Sequence, residues 1–184
     1  MYNKDINLKE DFMMNEVLQN IFTRRSVRNF NEKEISREDL EIIVKAGMYA
    51  PTAMNRQTFQ FTVIQNKDII RKIEKTVEKN MDRQDYSMYH SNCIILVSND
   101  RENANGYADC ACALENIFLA AHSMGIGSVW INQLKTTSDC EDTRAVLNEL
   151  KIPESHIVWG IAALGYSDAP APEAKERKSV VNFF

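Results

Sequence analysis

Arg24, Arg25, Ser26 and Arg28 fall within five positions of one another in the stretch T-R-R-S-V-R-N-F. The chain as a whole carries a formal net charge of -4, yet here three guanidinium groups stand where they repel one another. Planar guanidinium groups make bidentate, charge-assisted bonds to phosphate oxygens, and a hydroxyl beside them adds a further donor, so the cluster suits a polyanion. The same residues also read as a solvated basic corner at a helix end, where the helix dipole favours cations.

Three other stretches could complete a site for a phosphate joined to a polar ring. Residues 50–57 (A-P-T-A-M-N-R-Q) form a helix-to-strand loop whose backbone amides and side-chain carboxamides can read a ring edge. Residues 128–133 (S-V-W-I-N-Q) place backbone donors and an indole at the end of an apolar strand, and Lys175 and Arg177 add two cations in the tail. Each has a plainer reading as well: a polar surface loop, core packing for Trp130, and a solvated charge run.

Much other chemistry is missing. There is no G-x-x-x-x-G-K-[ST] cradle and no G-x-S-x-G elbow, and Gly125-x-Gly127 follows a helix and precedes a strand, the reverse of the dinucleotide fingerprint. Cys93, Cys110, Cys112 and Cys140 lack metal or redox spacing and read as free core thiols in a reducing compartment. His90, His122 and His156 are scattered, so no metal site is expected. A pI of about 5.5 argues against nucleic acid as a partner. No apolar run is long enough for a membrane span, and residues 1–11 are too polar for a secretory or transit signal, so a cytoplasmic protein is expected.

The elements that must position these residues follow from periodicity. A first helix is expected over 8–22. A second opens at the capping box Ser36-x-x-Asp39, with Leu40, Ile43, Val44 and Met48 on one face, and stops at Ala50-Pro51. Residues 58–64 alternate Phe59, Phe61 and Val63 as a half-buried strand, 68–81 form a charged amphipathic helix, and 93–97 (C-I-I-L-V) read as a strand buried on both faces. Residues 107–124 form a helix apolar nearly all round, which calls for burial and leaves room for a subunit contact on one flank. Strands over 128–131 and 157–164 flank a helix expected to be capped by Ser138 and to run to Leu150. Val180, Val181, Phe183 and Phe184 make an apolar terminus that suits docking on a partner. Two helices come first and strands alternate irregularly with helices, so the expected fold class is an α+β sandwich, a single domain over 1–184.

In order and spacing, these stretches resemble the FMN-dependent nitroreductase family over nearly the whole chain. The family's R-R-S-x-R-x-F is matched by residues 24–30. Its A-P-S-x-x-N-x-Q-P-W is matched by 50–57, with Thr58-Phe59 in place of Pro-Trp. Its Ala-rich helix ending in L-G-[LI]-G is matched by A-A-H-S-M-G-I-G over 120–127, followed by the strand S-V-W-I, and the basic pair comes after Gly165-Tyr166.

The resemblance implies a three-layer sandwich with a mixed, mostly antiparallel sheet and an intertwined homodimer holding FMN at its interface. Arg24, Arg25 and Ser26 would bind the phosphate and ribityl chain, with Lys175 and Arg177 closing over the phosphate. Arg28 would reach the pyrimidine side of the flavin ring, where a cation favours the reduced form. Pro51, Thr52, Ala53, Asn55 and Gln57 match the loop that comes from the other subunit, and Trp130, Ile131 and Asn132 the backbone passing the ring near N5. The activity implied is ping-pong hydride transfer from NADH or NADPH, as co-substrate, through FMN to a small organic acceptor such as a nitroaromatic or quinone, with no catalytic side chain.

The chain departs from the family at Asn132, where several members have Glu. In residues 79–90, Lys79 and Arg83 are candidates for further ring contacts by neighbourhood, and the segment reads either as a lid over the substrate face or as a surface connection. The same scaffold also supports reductive dehalogenation, enoyl-type reduction, or flavin binding with little turnover.

Overall fold

The computed structural model describes residues 15–170 and 172–184. Its centre is β2 (Cys93–Asp100), the apolar run expected to be buried on both faces, and Cys93 through Val97 have no exposed surface. β1 (Gln60–Ile64) pairs with one edge of β2 and β4 (His156–Gly165) with the other, while β3 (Gly127–Ile131) lies beyond β4. All three pairings are antiparallel.

Side chains alternate across a strand, so β2 supplies two cores. Cys93, Ile95 and Val97 meet Leu40 and Ile43 of α2 (Arg37–Met48) and Leu114, Ile117 and Ala121 of α4 (Gly106–Ser123). Ile94 and Leu96 face Ile70, Ile73 and Val77 of α3 (Lys67–Asn80), together with Leu134 of the short α5 (Leu134–Thr137) and Leu147 of α6 (Glu141–Glu149). Helices thus cover both faces of the sheet, which is the expected three-layer α+β arrangement.

Local signals set most helix ends. The Ser36 hydroxyl accepts the Asp39 amide at 3.0 Å and starts α2, and Asn66 caps α3 through the amides of Asp68 and Ile69. α4 stops at a Schellman turn: Ile126 N–H donates to Ala121 O, Gly125 N–H donates to His122 O, and Gly125 takes φ +71. Of the first expected helix, the portion before residue 15 lies outside the described residues. The remainder is α1 (Glu16–Thr23), capped by Asn15.

Several expectations are corrected. Ser138 starts no helix: its hydroxyl donates to Leu134 O at 2.7 Å, closing α5, and accepts the Val158 amide at 3.2 Å, while α6 begins at Glu141 after Cys140. Val63 shares its face with Phe61 but lies nearer the sheet's rim and is 41% exposed. α4 is buried on one face only. Ala108, Cys112 and Glu115 are on its open side, so Cys112 is not a core thiol, and Cys140 is only partly covered. The apolar terminus is exposed throughout, with no helix or strand from 172 to 184.

Candidate functional site

The arginine stretch leaves α1 and runs directly onto the sheet. Ser26 forms a parallel bridge with Ser128 of β3, the Val27 amide donates to Ser128 O at 2.9 Å, and the Asn31 amide donates to Tyr166 O at 2.8 Å. Glycine permits this close approach. A Cβ on Gly127 would stand 2.9 Å from the Val27 side chain, and one on Gly165 2.8 Å from the Phe30 ring. Gly127, the second glycine of the G-I-G mark, and Gly165 of the G-Y mark therefore serve to seat residues 26–30.

The arginines take up different positions at this corner. Arg25 folds back on α1, its Nη1 donating to Phe22 O at 2.7 Å and Arg24 O at 2.8 Å, as a helix-end cation should. Its Nε is buried and has no partner among the described residues. Arg24 Nε stands 3.8 Å from a Glu115 carboxylate on the open side of α4, a half-exposed and weak pairing. α1 is also held to α4 by Asn20 Nδ2 donating to Leu119 O and by the Thr23 hydroxyl at 2.9 Å from His122 Nε2. Burial lowers the His122 pKa below its usual value, and the charges of Arg24 and Arg25 lower it further. A positive field at this corner is thus felt by a neighbouring titratable group.

Arg28 is exposed, with its guanidinium carbon 5.9 Å from the centre of the Tyr89 ring. Tyr89 belongs to residues 79–90, a segment anchored at Tyr86 and Met88 and exposed over 82–85. The Met88 amide donates to the buried Glu74 carboxylate at 2.7 Å, Arg71 donates to Tyr86 O at 3.1 Å, and Met88 is completely buried. The second half of the segment is therefore fixed to α3 and presents Tyr89 to Arg28. Lys79 is committed elsewhere, 3.2 Å from Asp142 of α6, and Arg83 lines an open surface hollow with Lys75 and Asp82.

A cleft of about 250 Å³ lies between Ser26–Asn29 and the root of the tail, Ser167, Ala169, Pro170 and Pro172. Lys175 and Arg177 follow shortly after but are exposed and make no ion pair among the described residues. Two positions beyond Ser128 on β3, Trp130 is 37% exposed and rests on Phe118 with ring centres 6.1 Å apart, while Ile131 is buried. Asn132 is exposed beyond the strand end, its amide donating to Gln133 Oε1 at 3.1 Å. β3 therefore brings Ser26 and residues 130–132 onto one ridge.

The loop 51–57 is built separately. Pro51, Asn55 and Gln57 are exposed, and Thr52 and Ala53 partly so. Met54, Asn55 and Gln57 take φ of 53°, 53° and 50°, each a left-handed conformation that costs a non-glycine residue about 1 kcal/mol. The Thr52 hydroxyl accepts the Gln57 amide at 3.2 Å, and Gln57 Nε2 donates to Asn55 Oδ1 at 2.7 Å. Ala53 N–H donates to Asp109 Oδ1 at 3.1 Å. Among the described residues no hydrogen bond or ion pair joins this loop to residues 24–28 of the same chain.

The sequence model of the Nitroreductase family matches residues 21–166. The chain belongs to the nitroreductase family. A protein of Archaeoglobus fulgidus named as an NADH dehydrogenase/NAD(P)H nitroreductase is 34% identical over 157 residues, covering 83% of this chain and 86% of its own. Among solved structures, a nitroreductase with bound FMN from Bacteroides fragilis superposes with TM-score 0.86 at 37% identity, covering 92% of this chain and 99% of its own. A second with bound FMN, from Desulfitobacterium hafniense, gives TM-score 0.82 at 26% identity over 94% and 100%. The sandwich described above is accordingly the nitroreductase fold.

Proposed function

We propose that this nitroreductase is an FMN-dependent NAD(P)H oxidoreductase that reduces a small organic acceptor such as a nitroaromatic or a quinone. The carrying observation is the bridge that seats Ser26 on β3 directly after Arg24 and Arg25, with a buried Arg25 Nε that has no partner among the described residues. These residues fit a phosphate-bearing group: two cations, one with an orphaned donor, immediately precede Ser26, which lines the cleft together with Arg28. When bound, FMN supplies the hydride chemistry at its N5, so no acid–base pair is required of the protein.

In this reading Arg24, Arg25 and Ser26 hold the phosphate and ribityl chain. Arg28 sets positive charge beside the pyrimidine edge, where it favours the reduced state. Trp130, Ile131 and Asn132 flank the ring from β3. Pro51, Thr52, Ala53, Asn55 and Gln57 reach the flavin of a second copy of the chain, which accords with their lack of bonds to the arginines of their own chain. Lys175 and Arg177 then close over the phosphate, and the exposed residues 180–184 pack on the partner in a homodimer.

The deciding experiment is an absorbance spectrum of the purified protein, repeated after anaerobic addition of NADH and, separately, NADPH. Flavin bands that bleach support the reading and name the donor. Flavin bands that persist with both would indicate a binding protein with little turnover. A colourless protein that takes up no added FMN would overturn the proposal.

A further inference from the structure

The loop 51–57 is strained at three non-glycine positions, and its inner hydrogen bonds join only its own residues. Its shape must be imposed from beneath. Asp109, 4% exposed in the first turn of α4, accepts the Ala53 amide on Oδ1 and Asn103 Nδ2 on Oδ2 at 3.2 Å. Asn103, itself buried, also donates to the Thr58 hydroxyl at 3.1 Å, and that hydroxyl donates onward to Asn99 Oδ1 at 2.8 Å, at the end of β2. One polar chain, Asp109–Asn103–Thr58–Asn99, buried at all its members but the exposed Thr58, thus grips the loop at Ala53 and again just past Gln57. Thr58 stands where the family mark has proline. A proline at that position would restrict the preceding residue by its ring alone and offers no hydroxyl.

Resting on the functional reading above, we propose that Thr58 and Asp109 are positioning residues for the cofactor. They hold Asn55 and Gln57 in the strained conformation in which these reach the flavin, the Thr58 hydroxyl tying the end of the loop to Asn99 and Asn103. Without the hydroxyl, the buried Asn99 and Asn103 side chains each lose a partner, the two grips on the loop are uncoupled, and the left-handed residues relax.

The test compares wild type with Thr58→Val, Thr58→Ser and Asp109→Asn. FMN affinity is measured by quenching of flavin fluorescence, and hydrogen exchange at residues 53–57 is followed in the cofactor-free protein. Thr58→Val has nearly the same shape without the hydroxyl. It is expected to raise the FMN Kd roughly tenfold and to speed exchange in the loop, while Thr58→Ser stays within about threefold of wild type. Asp109→Asn is expected to act in the same direction, because its amide would face the Asn103 donor, and it serves as the second variant should Thr58→Val fold poorly. Faster exchange with unchanged FMN affinity, or equal weakening by Val and Ser, would overturn the proposal. Wild type that binds no FMN would overturn the functional reading instead.

Discussion

At the scale of single residues, the phosphate assignment has a direct signature. Riboflavin shares the ring and ribityl chain of FMN but lacks its phosphate. Arg24→Ala should therefore weaken FMN binding by roughly ten- to a hundredfold, the range for a lost bond to a charged group, and leave riboflavin binding within a few-fold. Equal losses for both ligands would move Arg24 off the phosphate. His122 gives a second readout. Burial, Arg24 and Arg25 all hold its pKa below the usual 6.5, so its NMR titration should rise when Arg24 is replaced by alanine and again when FMN is added to wild type, because both changes reduce the net positive field. Gly127→Ala would push a methyl group into Val27. About 1–3 kcal/mol of destabilisation is expected from such overpacking, seen as a lowered denaturant midpoint, together with weaker FMN binding as Ser26 is displaced from Ser128.

At the scale of elements, the end of α4 offers a contrast to that variant. Gly125 is left-handed, and a methyl group added there would meet no heavy atom within 4 Å, so Gly125→Ala suffers backbone strain alone. The expected cost is about 1–2 kcal/mol in chemical denaturation, with FMN affinity unchanged because residues 24–30 are not touched. Gly125 is legible in the sequence because a helix end demands a left-handed residue. Ser36 is legible as a cap for a similarly local reason. Ser138 misleads because Ser-x-x-Glu satisfies the capping pattern, whereas its hydroxyl is claimed by Leu134 and by Val158 of β4, which no local pattern reveals. The arginine stretch and the loop 50–57 stand out by residue type. The supports beneath them do not: Asn99, Asn103 and Asp109 are scattered polar residues until β2 and α4 bring them together, and the tie between Glu74 and Met88 joins a helix to a segment 14 positions away. Tyr89 can be picked out only as one aromatic residue among several.

At the scale of the whole molecule, acid should weaken the fold in two stages. His122 and His156 both have folded pKa values below 6.5, mainly through burial, so the unfolded chain takes up their protons first and stability falls as pH drops through about 6.5 toward the folded values. Asp139, held low chiefly by its bond from Arg101, and Asp142, held low chiefly by Asn80, contribute stability above 3.8 that is lost on further acidification. Thermal midpoints measured between pH 8 and 3 should show both falls, and a flat profile from 8 to 5 would rule out the histidine contribution. Removing residues 180–184 should shift the protein toward monomer in sedimentation velocity and lower its affinity for FMN; a truncated chain that remains dimeric would show that another surface holds the copies together. The four thiols allow assembly to be followed without any mutation. Burial pushes Cys93 and Cys110 up to about 12, so neither offers a thiolate to an alkylating reagent near neutral pH while the fold stays closed. Cys112 faces outward from α4. The native protein is in this sense a self-labelling gauge: uptake of iodoacetamide at Cys112 should slow with rising concentration where the proposed homodimer covers α4, and label arriving at Cys93 or Cys110 marks chains that have opened.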